Sequence, residues 1–471
     1  MDILQLLDCS KRVLVVGDVI LDRYIYGKCD RVAPDNAVPV LTTLSKDYAL
    51  GGAGNAVCNL IEMCLFVDFV TIIGDKDEVI INLLKDKGIS EDDVLRCPNY
   101  RVKVVSRYIA KRHQFLRVDK HVDSQVKDET ENRLRDLIKN KMAAIKYDAI
   151  VLSDYKKGVL SEEIAKEIIS EASVLGIPTI VDPKRGNYQR FQGATYIKPN
   201  KEDVSYLMDI SVVPKSNIPM ICKLFCERFN IEYCILTLAE DGIAFYKKDE
   251  SDGLLFGVMP TLNNVEVVDV CGAGDTCIAA IVFGVCHQWP LDKICNFANM
   301  CAANVIDKCG TIPVRMIDII HKVVYSQKEL VNIRRLIPKK STIVLTTGCF
   351  DLLHDGHIES LREAKDLGGL LFVALNSDVS VKKNKGDKRP IIPQKDRLTM
   401  LMATKYVDFV VMFDEEVPYW IIETLDPDIF VKGPDRTEAD LRKRFPNIKQ
   451  IHITDSKGIS TSGIIEKIRK L

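Results

Sequence analysis

Two stretches, VVDVCGAGDTCIAAIVFG (267–284) and STIVLTTGCFDLLHDGHIESLREAK (341–365), decide the fold. Each reads as a β-branched strand, a glycine-containing turn and the opening of a helix, the repeating unit of sheets covered by helices. In the first, Gly272 and Gly274 let backbone N–H groups approach an anion at a helix start, where the helix dipole also favours negative charge. Asp275 beside them suits a base that takes a proton from an attacking hydroxyl, and equally suits a cap for the helix. In the second, His354 and His357 stand three apart on one helix face. Paired imidazole donors there would meet the charge that grows on an α-phosphate as pyrophosphate leaves.

Working outward, KRVLVVGDVIL, FVTIIG, YDAIVLSDY, IPTIVDP and YCILTLAEDG precede the first stretch or lie between its partners, and LLFVALNSD, VDFVVMF and PDIFVKG follow the second. Short apolar runs alternating with longer amphipathic stretches predict parallel sheets in an α/β fold. RVKVVSRYIAKRHQFLRVD (101–119) alternates apolar and polar positions instead and predicts a half-exposed β-hairpin able to act as a lid. Around 316–341 a charged helical stretch ends in Pro338 and two lysines. The expected organisation is therefore a domain over 1–316, a linker over 317–341 and a second domain over 342–471, with no repeat between the halves.

The 471 residues carry 65 basic and 66 acidic side chains, a net charge of -1, with 47% hydrophobic content. That balance argues against disorder and against a nucleic-acid binder. No apolar run reaches the ~20 residues that span a bilayer, and MDILQLLDCSKR lacks a secretory pattern, so a cytoplasmic location without membrane partner is expected. The 15 cysteines are scattered through apolar segments without a C-x-x-C pair, as buried hydrophobes would be.

Further motifs accompany Asp275. GGAGNAVCNL (51–60) places Gly51, Gly52 and Asn55 at another helix start, and GDVILDRY (17–24) places Asp18 and Asp22 after the first strand. With D-P-K (182–184), K-P-N-K-E-D (198–203), T-L-A-E-D-G (237–242) and D-V-x-G-A-G-D-T (269–276), region 1–316 resembles the ribokinase-like carbohydrate kinases. The resemblance implies a ribokinase-like α/β domain with a small β lid. It makes Asp275 the catalytic base, and Gly272, Ala273 and Gly274 the anion hole. Asp22 and Asn55, with Gly51 and Gly52, would hold the sugar. Asn200, Lys201, Glu202 and Asp203 would act near ATP and Mg²⁺, with Asn200, Glu202 and Asp203 supporting the metal indirectly, and Thr237 and Gly242 would line the nucleotide. Cys271 stands where the family usually has Thr, and the acidic position of N-x-x-E is Asp203.

Region 342–471 resembles the cytidylyltransferase-like nucleotidyltransferases through T-x-G-x-F-D-x-x-H-x-G-H, ALNSDVS (374–380), KKNKGDKRP (382–390), VKGPD (431–435) and SKGISTSGIIEKI (456–468). That implies a Rossmann-like domain in which His354 and His357 are catalytic. Thr347, Gly348, Phe350, Asn376, Asp378, Lys385, Arg389, Lys432, Gly433, Ser460, Thr461 and Ser462 would contact the nucleotide. The order of both domains resembles the bifunctional heptose 7-phosphate kinase/heptose 1-phosphate adenylyltransferase family. It implies ATP and heptose phosphates as ligands, with CTP or another sugar or alcohol phosphate as the alternative. Lys103, Arg107, Arg112 and Arg117 are candidates for the sugar's 7-phosphate because Arg and Lys suit phosphate, although they also suit a charged outer strand face. Lid strands at 36–44 and 101–119 could pair between subunits, so a homo-oligomer, simplest as a homodimer, is expected.

Overall fold

A computed structural model describes residues 10–111, 113–120, 126–186, 188–209, 214–248, 255–261, 267–308, 310–320, 322–338, 340–433, 437–454 and 461–470. The chain forms two compact units that divide between Ile319 and Ile320.

The first unit is built on a nine-stranded sheet in the order Leu255–Met259, Ile243–Lys247, Tyr233–Thr237, Tyr196–Ile197, Thr179–Asp182, Ala149–Ser153, Arg12–Gly17, Phe66–Ile73 and Val94–Arg96. All pairings are parallel except those of Ile243–Lys247 with its two neighbours. Ala149–Ser153 is buried along its whole length, as a parallel strand covered on both faces must be. Helix Ala273–Cys286 is buried from Asp275 to its end and packs against helices Ala53–Glu62 and Leu291–Ile306.

A separate four-stranded sheet has the order Pro39–Gly52, Val19–Val32, Lys103–Ala110, His113–Asp119. Strands Lys103–Ala110 and His113–Asp119 pair as the expected hairpin. The 14-residue strand Val19–Val32 was not legible in GDVILDRY: it leaves the main sheet within two residues of Gly17 and carries Asp22 into the base of the lid.

The second unit is an entirely parallel six-stranded sheet: Val323–Val324, Phe409–Phe413, Leu370–Asn376, Ile343–Gly348, Ile429–Lys432, Gln450–Ile453. Leu361, Leu371, Val373, Leu375 and Val410 centre its core. The stretch read as a linker over 317–341 holds the edge strand Val323–Val324 and the amphipathic helix Gln327–Leu336, which packs on helix Tyr419–Leu425. Its charge had disguised an element that buries only Leu330 and Ile333 on one face.

Candidate active sites

In the first unit the chain turns in opposite directions across the sheet at the adjacent strands Arg12–Gly17 and Ala149–Ser153, the place where ligands of open α/β sheets gather. Asp275 lies there in the first turn of its helix, 6% exposed. Its Oδ2 accepts from Nδ2 of Asn55 at 2.8 Å and its Oδ1 from the hydroxyl of Tyr155. Burial pushes its carboxyl up to about 6, with Asp182 adding to the rise and the Tyr155 and Asn55 bonds opposing it. Asn55 is itself gripped through Asn59, whose Nδ2 donates to the Asn55 carbonyl at 2.9 Å and whose Oδ1 accepts from Thr276 and from the backbone N–H of Val314.

Gly272 caps the helix at φ 80°, and a Cβ there would sit 2.8 Å from Nδ2 of Asn55. Only glycine fits both that backbone and that neighbour. Ala273 and Gly274 follow in the first turn, whose N–H groups have no acceptor within the helix, and the space above Gly274 is open to 4 Å. The Ala273 N–H donates to the Val270 carbonyl at 3.3 Å; a buried carboxylate beside the helix-start amides that follow it can accept a proton while those amides stabilise an anion.

Asp22 accepts from Thr311 at 3.1 Å and pairs with Arg107 at 3.3 Å. A Cβ on Gly51 would lie 2.5 Å from Asp22 Oδ2, and Gly52 has φ 59°, so this glycine pair lets strand and helix close around the carboxylate. Arg107 is 6% exposed, faces Arg117 across the hairpin and has no hydrogen-bond partner for its Nε among the described residues. It is therefore no part of a charged outer face. Lys103 and Arg117 both pair with Asp119. Arg112 lies outside the described residues.

Asn200 and Asp203 form a reciprocal capping box at the start of helix Lys201–Met208, at 2.8 and 3.0 Å. Glu202 is exposed and pairs with Arg185, and Lys201 pairs with Glu240 and Asp241. Thr237 ends its strand beside Asn200, and Gly242 turns at φ 95° against the Met259 carbonyl. Among the described residues no group of three His, Cys, Asp or Glu side chains is disposed to hold a metal ion.

In the second unit the chain's direction across the sheet reverses at the central strand Ile343–Gly348, whose neighbours are Leu370–Asn376 and Ile429–Lys432. Helix Asp355–Asp366 starts at its carboxyl end, and the rings of His354 and His357 stack with centroids 3.9 Å apart. Burial lowers both imidazoles, and His354 helps to push His357 down to about 4. Burial thus favours the uncharged form of both rings, which can still donate from one ring nitrogen. Phe350, held at φ 46°, covers His357 at 5.2 Å, and its ring packs against Gly348.

Lys432 donates to the carbonyl and hydroxyl of Thr347, and Gly433 follows it at the strand end. Asn376 bridges Cys349 and Ser380. Arg389 pairs with buried Asp351, which also accepts from the N–H groups of Ile391 and Ile392. Asp378 pairs with Arg397 rather than standing clear for a ligand. Lys385 ends helix Asp378–Lys385 in the exposed basic loop. Ser460 lies outside the described residues, and Thr461 and Ser462 open helix Thr461–Arg469.

The model of the pfkB family carbohydrate kinases matches residues 10–316, and that of the cytidylyltransferase-like family matches 345–467. Bifunctional protein HldE of Campylobacter fetus subsp. fetus is 36% identical over 97% of this chain and 99% of its own length, and HldE of Helicobacter pylori (strain ATCC 700392 / 26695) is 36% identical over 98% and 99%. The chain belongs to the HldE family. In fold, the first unit of this HldE relative is similar to phosphofructokinase-2 from Escherichia coli in complex with potassium, with a TM-score of 0.53 and 14% identity over 69% of this chain and 99% of that one. It is also similar to Arabidopsis thaliana ribokinase complexed with ribose and ATP, with a TM-score of 0.50 and 17% identity over 65% and 96%.

Three residues of this HldE family member escaped the motif reading. Tyr155 bonds Asp275, Thr311 bonds Asp22, and Arg397, 0% exposed, donates to the carbonyls of Cys349, Asn376 and Ile392. The pair Asp154-Tyr155 directly after a fully buried strand was the available signal for the first. Nothing local distinguishes Thr311 or Arg397.

Proposed function

We propose that this chain carries out two steps of ADP-heptose synthesis. The first unit transfers the γ-phosphoryl group of ATP to the anomeric hydroxyl of D-glycero-β-D-manno-heptose 7-phosphate. The second, after a separate phosphatase has removed the 7-phosphate, joins heptose 1-phosphate to AMP from ATP and releases pyrophosphate. The product feeds the inner core of lipopolysaccharide, and the reactions run in the cytoplasm. The observation that carries this reading is the pairing of both sites in one chain that matches HldE relatives almost end to end.

In the first step Asp275 takes the proton of the anomeric hydroxyl, the sugar oxygen bonds the γ-phosphorus and the bond to the β-phosphate oxygen breaks, leaving ADP. The N–H groups following Gly272 face the transferring group. Asp22 and Asn55 orient the sugar, and Thr237 and Gly242 border the nucleotide. Arg107, whose buried Nε has no partner among the described residues, and Arg117 opposite it offer donors to the 7-phosphate; Lys103 adds charge. Asn200, Glu202 and Asp203 would lie near a Mg²⁺ ion brought in with ATP, which would neutralise phosphate charge.

In the second step the sugar 1-phosphate oxygen bonds the α-phosphorus while the bond to pyrophosphate breaks. His354 and His357 donate to the α-phosphate, and Thr347, Lys385, Arg389, Lys432, Ser460, Thr461 and Ser462 serve the triphosphate. Exposed Val32, Val38, Leu44, Phe115, Leu116 and Val118 on the lid support pairing of two copies there.

The test supplies wild-type protein with heptose 7-phosphate and MgATP. The 1,7-bisphosphate alone, and ADP-heptose once the phosphatase is added, is the expected outcome. An untouched heptose phosphate, or a product formed only with CTP in the second step, overturns the substrate assignment.

A further inference from the structure

Tyr155 has no part in the phosphoryl transfer described above, yet its loop is held by a network of buried side chains. Asp18, 0% exposed, accepts from the backbone N–H groups of Tyr155 at 2.8 Å, Lys157 at 3.0 Å and Val159 at 3.0 Å. Asp154 accepts from the N–H of Lys156 at 2.9 Å and pairs with Arg190. The hydroxyl of Tyr100 donates to the carbonyl of Lys157 at 2.9 Å. Lys156 holds a left-handed φ of 55°, a backbone state that persists only where its surroundings impose it. All of this fixes one side chain, whose hydroxyl donates to Oδ1 of Asp275 while Asn55 holds Oδ2.

We propose that Tyr155 is the positioning residue of the phosphoryl-transfer step, fixing the plane of the Asp275 carboxylate and keeping it ionised so that it can take the substrate's proton, with Asp18 holding Tyr155 in place. The proposal rests on reading Asp275 as the base. A donated hydrogen bond favours the charged form of a carboxylate, and here it opposes burial and Asp182. The other groups bearing on the pair are Lys198, bound to Asp182 at 2.8 Å, Asp22 from the lid strand, Lys184 over the Tyr155 ring and Cys58 from helix Ala53–Glu62. Burial among Asp275, Asp182 and Asp22 raises the Tyr155 hydroxyl well above its ordinary value, so it keeps its own proton throughout. The proton of the sugar hydroxyl goes to Asp275.

The experiment compares full-length Tyr155→Phe, Asp18→Asn and Asp275→Asn with wild type, using heptose 7-phosphate and MgATP over pH 5–9 and ATP binding by calorimetry. Tyr155→Phe is expected to lower kcat about tenfold or more, to change the KM for the sugar less than about twofold, and to move the acid limb of kcat up by about one pH unit while ATP still binds. Asp18→Asn, which does not touch Asp275, is expected to move the limb in the same direction. Either variant binding ATP with wild-type kcat and limb overturns the proposal, as does a raised sugar KM with kcat and limb unchanged, which would make Tyr155 a sugar ligand. Asp275→Asn separates the two levels. If it still transfers phosphate, the reading of the base has failed; if it is inactive while Tyr155→Phe behaves as wild type, only the role of Tyr155 has.

Discussion

Asp275, proposed above as the base, is buried at a cost to its charged form. Its folded value of about 6 lies above the 3.8 ordinary for an aspartate, so between those values the folded protein binds more protons than the unfolded chain and stability falls as pH rises. Above pH 6 ionisation costs about 3 kcal/mol. Asp275→Asn removes that cost, so the first unit should melt higher than wild type at pH 8, with the gap narrowing below pH 6 and closing towards pH 4; calorimetry that finds no pH-dependent gap contradicts it. His357 runs the other way. With a folded value of about 4 against 6.5, it stays neutral above pH 5, and its stabilising contribution is complete above 6.5 and lost as pH falls to 4. Adenylyl transfer followed by pyrophosphate release should therefore be flat from about pH 6 to 8. A limb near 6.5 would show that an imidazolium is used.

At the scale of elements, two buried side chains fasten the nucleotidyltransferase strand ends. Arg397 satisfies the Cys349, Asn376 and Ile392 carbonyls and pairs with Asp378, and Asp351 ties down Arg389 and the following turn. Arg397→Ala would leave those acceptors and Asp378 without their donor, and is expected to destabilise the second unit by about 3–5 kcal/mol. A change under 1 kcal/mol in denaturant unfolding would show that the loop rearranges at little cost. These elements explain what could be read in advance. Strand runs such as AIVLS and the glycine turn at Gly272 announce themselves because burial and backbone geometry dictate residue type locally. The edge strand Val323–Val324, the course of Val19–Val32 into the lid and the grip of Arg397 depend on partners far along the chain. The candidate residues were legible where a motif compresses them, as at His354 and His357; Tyr155 and Thr311 reach the kinase site only through tertiary contacts.

For the whole molecule, the apolar side chains exposed on the lid lead us to expect a homo-oligomer formed there. Leu44→Asp with Leu116→Asp should shift sedimentation from dimer to monomer; an unchanged sedimentation coefficient, or a wild-type monomer, refutes pairing through this face. Because residues 320–338 belong to the second unit, a fragment over 320–471 should be more stable than one over 342–471, which exposes the edge of Phe409–Phe413; equal melting temperatures would contradict that. The central claim is that one chain holds two independent transfer sites, and the most direct measurement follows products from heptose 7-phosphate and from heptose 1-phosphate, each with MgATP, in Asp275→Ala and His357→Ala. Loss of the bisphosphate alone in the first variant and of ADP-heptose alone in the second is the expected result. Loss of both products in either variant, or of neither, would contradict the account.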